Sequence, residues 1–174
     1  MLRLLWKLGL AAFAVAFLIA VFWFKPQAPL APGLKADKVL VLKGERRLFL
    51  LKDDKPLKGY RIALGWSPRG HKEHEGDGKT PEGTYLIDFR KPDSSFHRAL
   101  HISYPDGRDK SHARTLGVSP GGAIMIHGLK NGFGWIGNRH RISDWTNGCI
   151  AVTDEEIREI WRAVPNGTPI EIRP

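Results

Sequence analysis

The chain has 174 residues, 42% of them hydrophobic, a formal charge of +9 and a single cysteine. One cysteine excludes a disulfide framework, and the length allows one ordinary domain with a real core but hardly two. The basic residues are scattered rather than clustered, which suits a solvated face open to anionic lipid or acidic envelope polymers.

The N-terminus reads MLRLLWKLGLAAFAVAFLIAVFWFK, with no charge from Leu8 to Phe24. As a helix, the stretch from Leu4 to Phe24 spans roughly 30 Å, the thickness of a hydrocarbon core. Lys7 can snorkel to the headgroups, and Trp6 and Trp23 suit the two interfaces. A cleaved signal peptide shares this basic start, but the Ala-x-Ala patterns here lie inside the apolar run and proline-rich sequence follows it. Residues 1–24 therefore read as an uncleaved transmembrane anchor. Arg3 and Lys7 favour a cytoplasmic N-terminus, which makes the rest an inner-membrane-anchored, periplasmic domain. Nucleic acid is then the poorest partner for the charge. Residues 25–36 (KPQAPLAPGLKA) read as a fairly stiff linker, and residues 37–174 as the globular domain.

Within that domain Lys38–Gly65 contains three short β-type runs, with turns at Lys43-Gly44 and Asp53–Pro56. Gly83–Phe89 and Phe96–Tyr104 read as two more strands. Pro105–Gly117 is polar, with room for a short helix. Ala123–His127 and Cys149–Val152 are strand candidates. Thr153–Val164 is the clearest helix: Thr153 and Glu156 form a capping box, and Ile157, Ile160, Trp161 and Val164 share one face. Thr168–Ile172 closes the domain as a strand. The expectation is a mostly β fold, a sandwich or barrel-like domain with one late helix, preceded by the transmembrane helix.

Cys149 follows the turn Thr146-Asn147-Gly148 and begins an apolar run, so its sulfur belongs at the start of a strand. A lone cysteine is most often a small core hydrophobe. Against that, an oxidising compartment disfavours an idle thiol, and successive N–H groups of such a turn can face a developing oxyanion. A nucleophilic thiol needs a base, because at neutral pH it is only a few per cent ionised. His127 ends the run Ala-Ile-Met-Ile and opens a glycine-rich loop, which places it at the mouth of a sheet. His140, nearer to Cys149 in sequence and between two arginines, is the rival base. His71 and His74 have metal-like spacing but lie in glycine-rich sequence, so no metal is expected. Gly76–Gly83 (GDGKTPEG) contains Gly-Lys-Thr, but Glu73 stands where a phosphate loop needs glycine, and Pro81 follows at once.

Gly-x-Gly-x-Thr-Pro-x-Gly-x-Tyr, then Ile-His-Gly, then Gly-Cys-Ile before a late helix, resembles the L,D-transpeptidase catalytic domain (the YkuD-type family). The resemblance covers Lys38 to Ile172 and implies the family's β-sandwich-like fold. It makes Cys149 the nucleophile and His127 the general base, with the Gly148 and Cys149 N–H groups as the oxyanion hole. It also lets the Gly128 carbonyl orient the imidazole. The implied chemistry is attack on a diaminopimelate-type carbonyl of a peptidoglycan stem peptide, without cofactor. The thioester then passes to an amine of another stem, to an envelope lipoprotein lysine, or to water.

The chain departs from the usual pattern at Asn147, where the family has a second histidine, and at Ala151, where it has a polar residue. The insert between His127 and Cys149 is longer than typical, and its Arg139 and Arg141 are candidates, with Asn147, for orienting the substrate. The sequence Asp-Trp-Thr-Asn-Gly-Cys-Ile-Ala-Val resembles the branch that includes enzymes of the lipoprotein–peptidoglycan link. An L,D-carboxypeptidase or amidase-like hydrolase is the alternative. A non-catalytic wall-binding module would keep the fold but should have lost the thiol or the histidine.

Overall fold

The computed structural model describes residues 28–174. The expected transmembrane helix, at residues 1–24, lies outside these, and among the described residues no helix is long and apolar enough to cross a membrane. Eight strands form one sheet: β1 (Lys38–Leu42), β2 (Arg47–Lys52), β3 (Lys55–Arg61), β4 (Gly83–Ser94), β5 (His97–Ile102), β6 (Met125–His127), β7 (Ile150–Ala151) and β8 (Thr168–Arg173). Their order across the sheet is β3-β2-β1-β8-β4-β5-β6-β7.

Of the expected mostly β fold, sandwich or barrel-like, the structure shows one curled sheet, closer to the barrel-like form. Beyond β3 the chain continues through Ile62–Gly65 to the opposite edge, where Ala63 and Ala151 exchange main-chain hydrogen bonds of 3.0 and 2.8 Å. The two edges thus meet, which removes unpaired strand groups as barrel closure does. The meander β1–β3 follows from its turn residues. The partners of β8 do not: it inserts between β1, which it parallels, and β4, which it opposes. Alternation along the strands buries Val39, Val41, Leu48, Leu50, Ile170 and Ile172 in one core.

Among the described residues two α-helices flank the sheet, the expected late one and one within Pro105–Gly117, where the sequence left room for a short helix. The late helix, α2 (Asp154–Ala163), has its capping box at Thr153 and Glu156, and α1 (Gly107–Thr115) precedes it. α1 carries no hydrophobic periodicity, burying only Asp109 and Ala113; it is held instead by a capping box between Asp106 and Asp109. Ile157 and Ile160 of α2 and Val164 at its C-cap join the core, each worth roughly 1.5–3 kcal/mol relative to exposure. Trp161 is only half-buried, with the Arg90 and Arg98 guanidinium groups 5.2 and 5.3 Å from its ring centre.

The linker is not a free spacer over its described part. The Ala36 N–H bonds the Ala163 carbonyl at 2.9 Å, Leu30 packs against the core, and the Leu30 N–H donates to Glu159. Lys58 donates to the Ala28 carbonyl at 2.9 Å.

Three glycines meet where the curled sheet closes. A Cβ on Gly65 would lie 2.1 Å from the Gly78 carbonyl oxygen and 3.0 Å from the Gly148 Cα. Neither neighbour is a flexible side chain, so the backbone itself would have to move. Gly65→Ala is therefore expected to cost about 3 kcal/mol and lower Tm by roughly 6–12 °C. A thermal melt within a degree or two of wild type would contradict this packing.

Candidate active site

β6 and β7 run parallel with Ile126 opposite Ile150 and His127 opposite Ala151. Because side chains alternate along a strand, Ile126 and Ile150 point into the core and leave the other face to Met125, His127, Cys149 and Ala151. His127 and Cys149 therefore share one face of neighbouring strands, offset by one two-residue step. Strand spacing and rise put their Cα atoms roughly 8 Å apart, a gap two side chains can span.

The cysteine turn is built by Thr146. Its hydroxyl donates to the Cys149 carbonyl at 2.7 Å and accepts the Gly148 N–H at 3.1 Å. Gly148 has φ +123, and a Cβ there would meet the Lys79 carbonyl at 2.6 Å, so only glycine fits. The Gly148 N–H, expected in the oxyanion hole, is thus already engaged in this structure. Among the described residues no acceptor takes the Cys149 N–H. Cys149 itself is partly exposed, with its Sγ 3.6 Å from the Ala123 carbonyl. Burial raises its thiol pKa; a hydrogen bond from the Met125 main chain and the charge of Lys72 act the other way.

His127 is buried between Phe96 and Trp145, whose ring centres lie 4.6 and 5.9 Å from its own. Its Nδ1 lies 2.7 Å from the Gly128 carbonyl. A carbonyl can only accept, so Nδ1 carries the proton and Nε2 keeps its lone pair. Burial lowers the imidazole pKa, opposed by that hydrogen bond. Burial thus pushes the thiol up and the imidazole down, both in favour of the neutral form.

The remaining candidates separate cleanly. His140 is buried; the Trp145 indole N–H points to its Nδ1 at 3.5 Å, and its Nε2 has no partner. Burial first, then Arg141 and His127, push its pKa down to about 4. Arg141 is turned to Glu156, a member of the α2 capping box, and to Asn138 at 2.5 Å. Its side chain is 8% exposed, so it clamps the insert to the helix start and has little to offer a substrate. Asn147 and Arg139 are exposed, Asn147 at the tip of the cysteine turn.

His71 and His74 do not converge: His71 contacts Asp109 and accepts the Glu82 N–H, while His74 is exposed. Among the described residues no three His, Cys, Asp or Glu side chains are grouped as metal ligands.

Thr146 and Asp144 stand in the motif read from the sequence but were given no role there, and Lys72 was not singled out. Asp144 accepts the Leu64 N–H at 2.9 Å and pairs with Arg46 at 2.8 Å, fixing the approach to the cysteine turn. Lys72 is a buried cation near the thiol, paired with Asp77 at 2.8 Å. Against the effect of burial, Lys72 and three main-chain N–H groups hold Asp77 at about 2. A threonine two residues before a glycine turn was a readable cue for Thr146; nothing local marked Lys72.

A family description, L,D-transpeptidase catalytic domain, matches residues 36–172. The chain belongs to this family. YafK of Escherichia coli (strain K12), provisionally named an L,D-transpeptidase, is 32% identical over 111 residues, 62% of this chain and 37% of YafK. Pgp2, described as a helical cell shape determining protein from Campylobacter jejuni, superposes with TM-score 0.60 at 24% identity over 85% of this chain and 52% of its own. Bd1075 from Bdellovibrio bacteriovorus gives 0.55 at 23% identity over 86% and 53%. These two likenesses speak for the fold. The chain spans little more than a third of YafK and about half of each superposed chain.

A histidine held neutral by burial ties stability to pH. Between 6.5, the ordinary value, and about 4 for His140, the unfolded chain binds more protons than the folded one. Stability is then complete above pH 6.5 and is lost as pH falls toward 4, by about 3 kcal/mol at most for this group. His127 adds to it with the same sign. His140→Gln should flatten the fall of Tm between pH 6.5 and 4. An unchanged slope would show that His140 is not held neutral in the folded protein.

Proposed function

We propose that this L,D-transpeptidase-family chain is a cysteine-dependent transpeptidase of peptidoglycan stem peptides, anchored in the inner membrane with its catalytic domain in the periplasm. The observation that carries the reading is the shared face of His127 and Cys149, with the imidazole tautomer fixed by Gly128. A base whose Nε2 lone pair is open, one step from a thiol, is what a cysteine whose partial burial raises its pKa requires.

In the acylation step His127 Nε2 takes the thiol proton as Sγ attacks the carbonyl of the diaminopimelate-type residue. The C–O π pair moves onto oxygen, where the free Cys149 N–H donates to it; Gly148 N–H joins only by leaving Thr146. As the intermediate collapses, the C–N bond breaks and His127 returns its proton to the departing amine. An acceptor amine then attacks the thioester, His127 takes its proton, and the sulfur leaves. Preorganised donors of this kind contribute most where water is excluded, and Phe96 and Trp145 keep the imidazole dry.

Purified full-length protein incubated with disaccharide-peptides, with products weighed, tests the reading. A crosslinked dimer marks transfer to an amine, and loss of terminal D-alanine alone marks hydrolysis. Cys149→Ala should abolish both and block covalent addition of a carbapenem. His127→Gln should slow acylation by roughly 10²–10⁴-fold. His140→Gln, whose ring is un-ionised and lacks a free lone pair, should retain acylation within a few fold. Activity surviving in Cys149→Ala, or lost only in the His140 variant, would sink this mechanism.

A further inference from the structure

Where the described chain begins, it forms part of a groove. Residues Leu30 to Lys35 and the end of α2 enclose an open cavity of about 450 Å³. Its walls include Leu30, Leu34 and Trp161, together with Lys35, Arg90 and Arg162. Leu34 is 42% exposed, and Lys35 and Arg162 are exposed as well. Arg90 lies against the Trp161 ring and donates from one terminal nitrogen to the Val164 carbonyl, while its buried Nε has no partner. One carboxylate lines the groove, that of Glu159, and it is already occupied: the Leu30 N–H takes one oxygen, Lys58 and Tyr60 the other. Lys35 donates to the Arg162 carbonyl at 2.6 Å. Among the described residues, however, none of Lys35, Arg90 and Arg162 has a carboxylate partner, so the groove presents positive charge not paired with acid beside apolar walls.

Position decides what fits it. Only residues 25–27 separate Phe24 from Ala28, a reach of at most about 14 Å when extended. Because residues 28–36 are strapped to the domain, the groove cannot stand off from the membrane surface that the anchor would define. We propose that this groove docks on the bilayer by taking the headgroup of an anionic phospholipid, phosphate toward Lys35, Arg90 and Arg162 and glycerol against Leu34 and Trp161. The proposal rests on the membrane-anchored reading above. It adds to that reading a fixed orientation, in which the domain lies on the membrane instead of swinging from it.

The test uses the full-length chain with Cys149→Ser and one introduced thiol, either Asn166→Cys just beyond α2 or Glu45→Cys at the far end of β1 from Ala36. Each is labelled with a dye and reconstituted into vesicles carrying a headgroup-linked quencher. In phosphatidylcholine with phosphatidylglycerol, the dye at position 166 should be quenched well above that at 45. The difference should shrink in phosphatidylcholine alone to what the short tether leaves, and its phosphatidylglycerol-dependent part should fade at high salt. Lys35→Gln with Arg162→Gln, both exposed positions, should lower the docked-to-undocked ratio by roughly fivefold per charge removed.

Equal quenching at the two sites, or indifference to phosphatidylglycerol, overturns the proposal. So does displacement by inorganic phosphate that sodium chloride of equal ionic strength does not reproduce, since that assigns the groove to free phosphate. An alkaline wash of the same vesicles separates the two readings. A chain that washes off has no anchor, and the docking geometry falls with it; a chain that stays but shows no lipid dependence refutes the groove alone.

Discussion

The parallel pairing of β6 with β7 is the constraint on which the site depends. Two very short strands carry it, Met125–His127 and Ile150–Ala151, and so short a ladder is marginal alone. It holds because β7 is paired on both sides: β6 on one, the Ala63 segment on the other. Closure of the curled sheet is thus not incidental to the candidate site. It fixes the register that puts His127 and Cys149 on one face, and a one-residue slip would send the thiol into the core. The glycine junction beneath follows from the same demand, since three main chains must approach closer than any side chain allows.

Between the two strands the long insert is fastened at several points. Leu129 N–H bonds Asp154 at the start of α2, Arg141 bonds Glu156 in its capping box, and Asp144 ties the returning chain to Leu64 and Arg46. The helix that sequence periodicity identifies most easily therefore has a second task. Its acidic first turn receives the insert, and its own N–H groups are satisfied by the cap.

Much of this was readable from the sequence, and the limits have physical causes. The strands of the meander, the late helix with its Thr153 box and the approximate ends of β6 and β7 follow from local periodicity and turn chemistry. The curl of the sheet, by contrast, rests on Ala63 meeting Ala151, a pairing between segments far apart in sequence with no local trace. α1 could be given only as room for a short helix, because its stability comes from a box of two aspartates and not from an apolar face. Cys149 and His127 could be singled out as residue types at turn positions. Arg141 looked like a solvent-facing candidate for substrate, and only its distant partner Glu156 reveals otherwise. Proline and alanine made residues 25–36 look like a spacer, yet Leu30 and Ala36 find places on the domain that composition cannot announce.

Buried polar groups without partners show where the fold bears a cost. Among the described residues three such atoms occur, and two of them, His140 Nε2 and Arg141 Nε, belong to the insert beside the site. An unsatisfied buried polar atom costs about 1–3 kcal/mol, so the insert is an expensive cover. What it covers explains the arrangement: Trp145 stands against both His127 and His140 and, with Phe96, encloses the buried His127 imidazole. A cheaper, fully solvated insert would satisfy its own polar atoms and leave His127 wet, with a more ordinary proton affinity and a looser ring. Natural folds break local rules chiefly near functional sites, and here the broken rules surround the histidine rather than the cysteine.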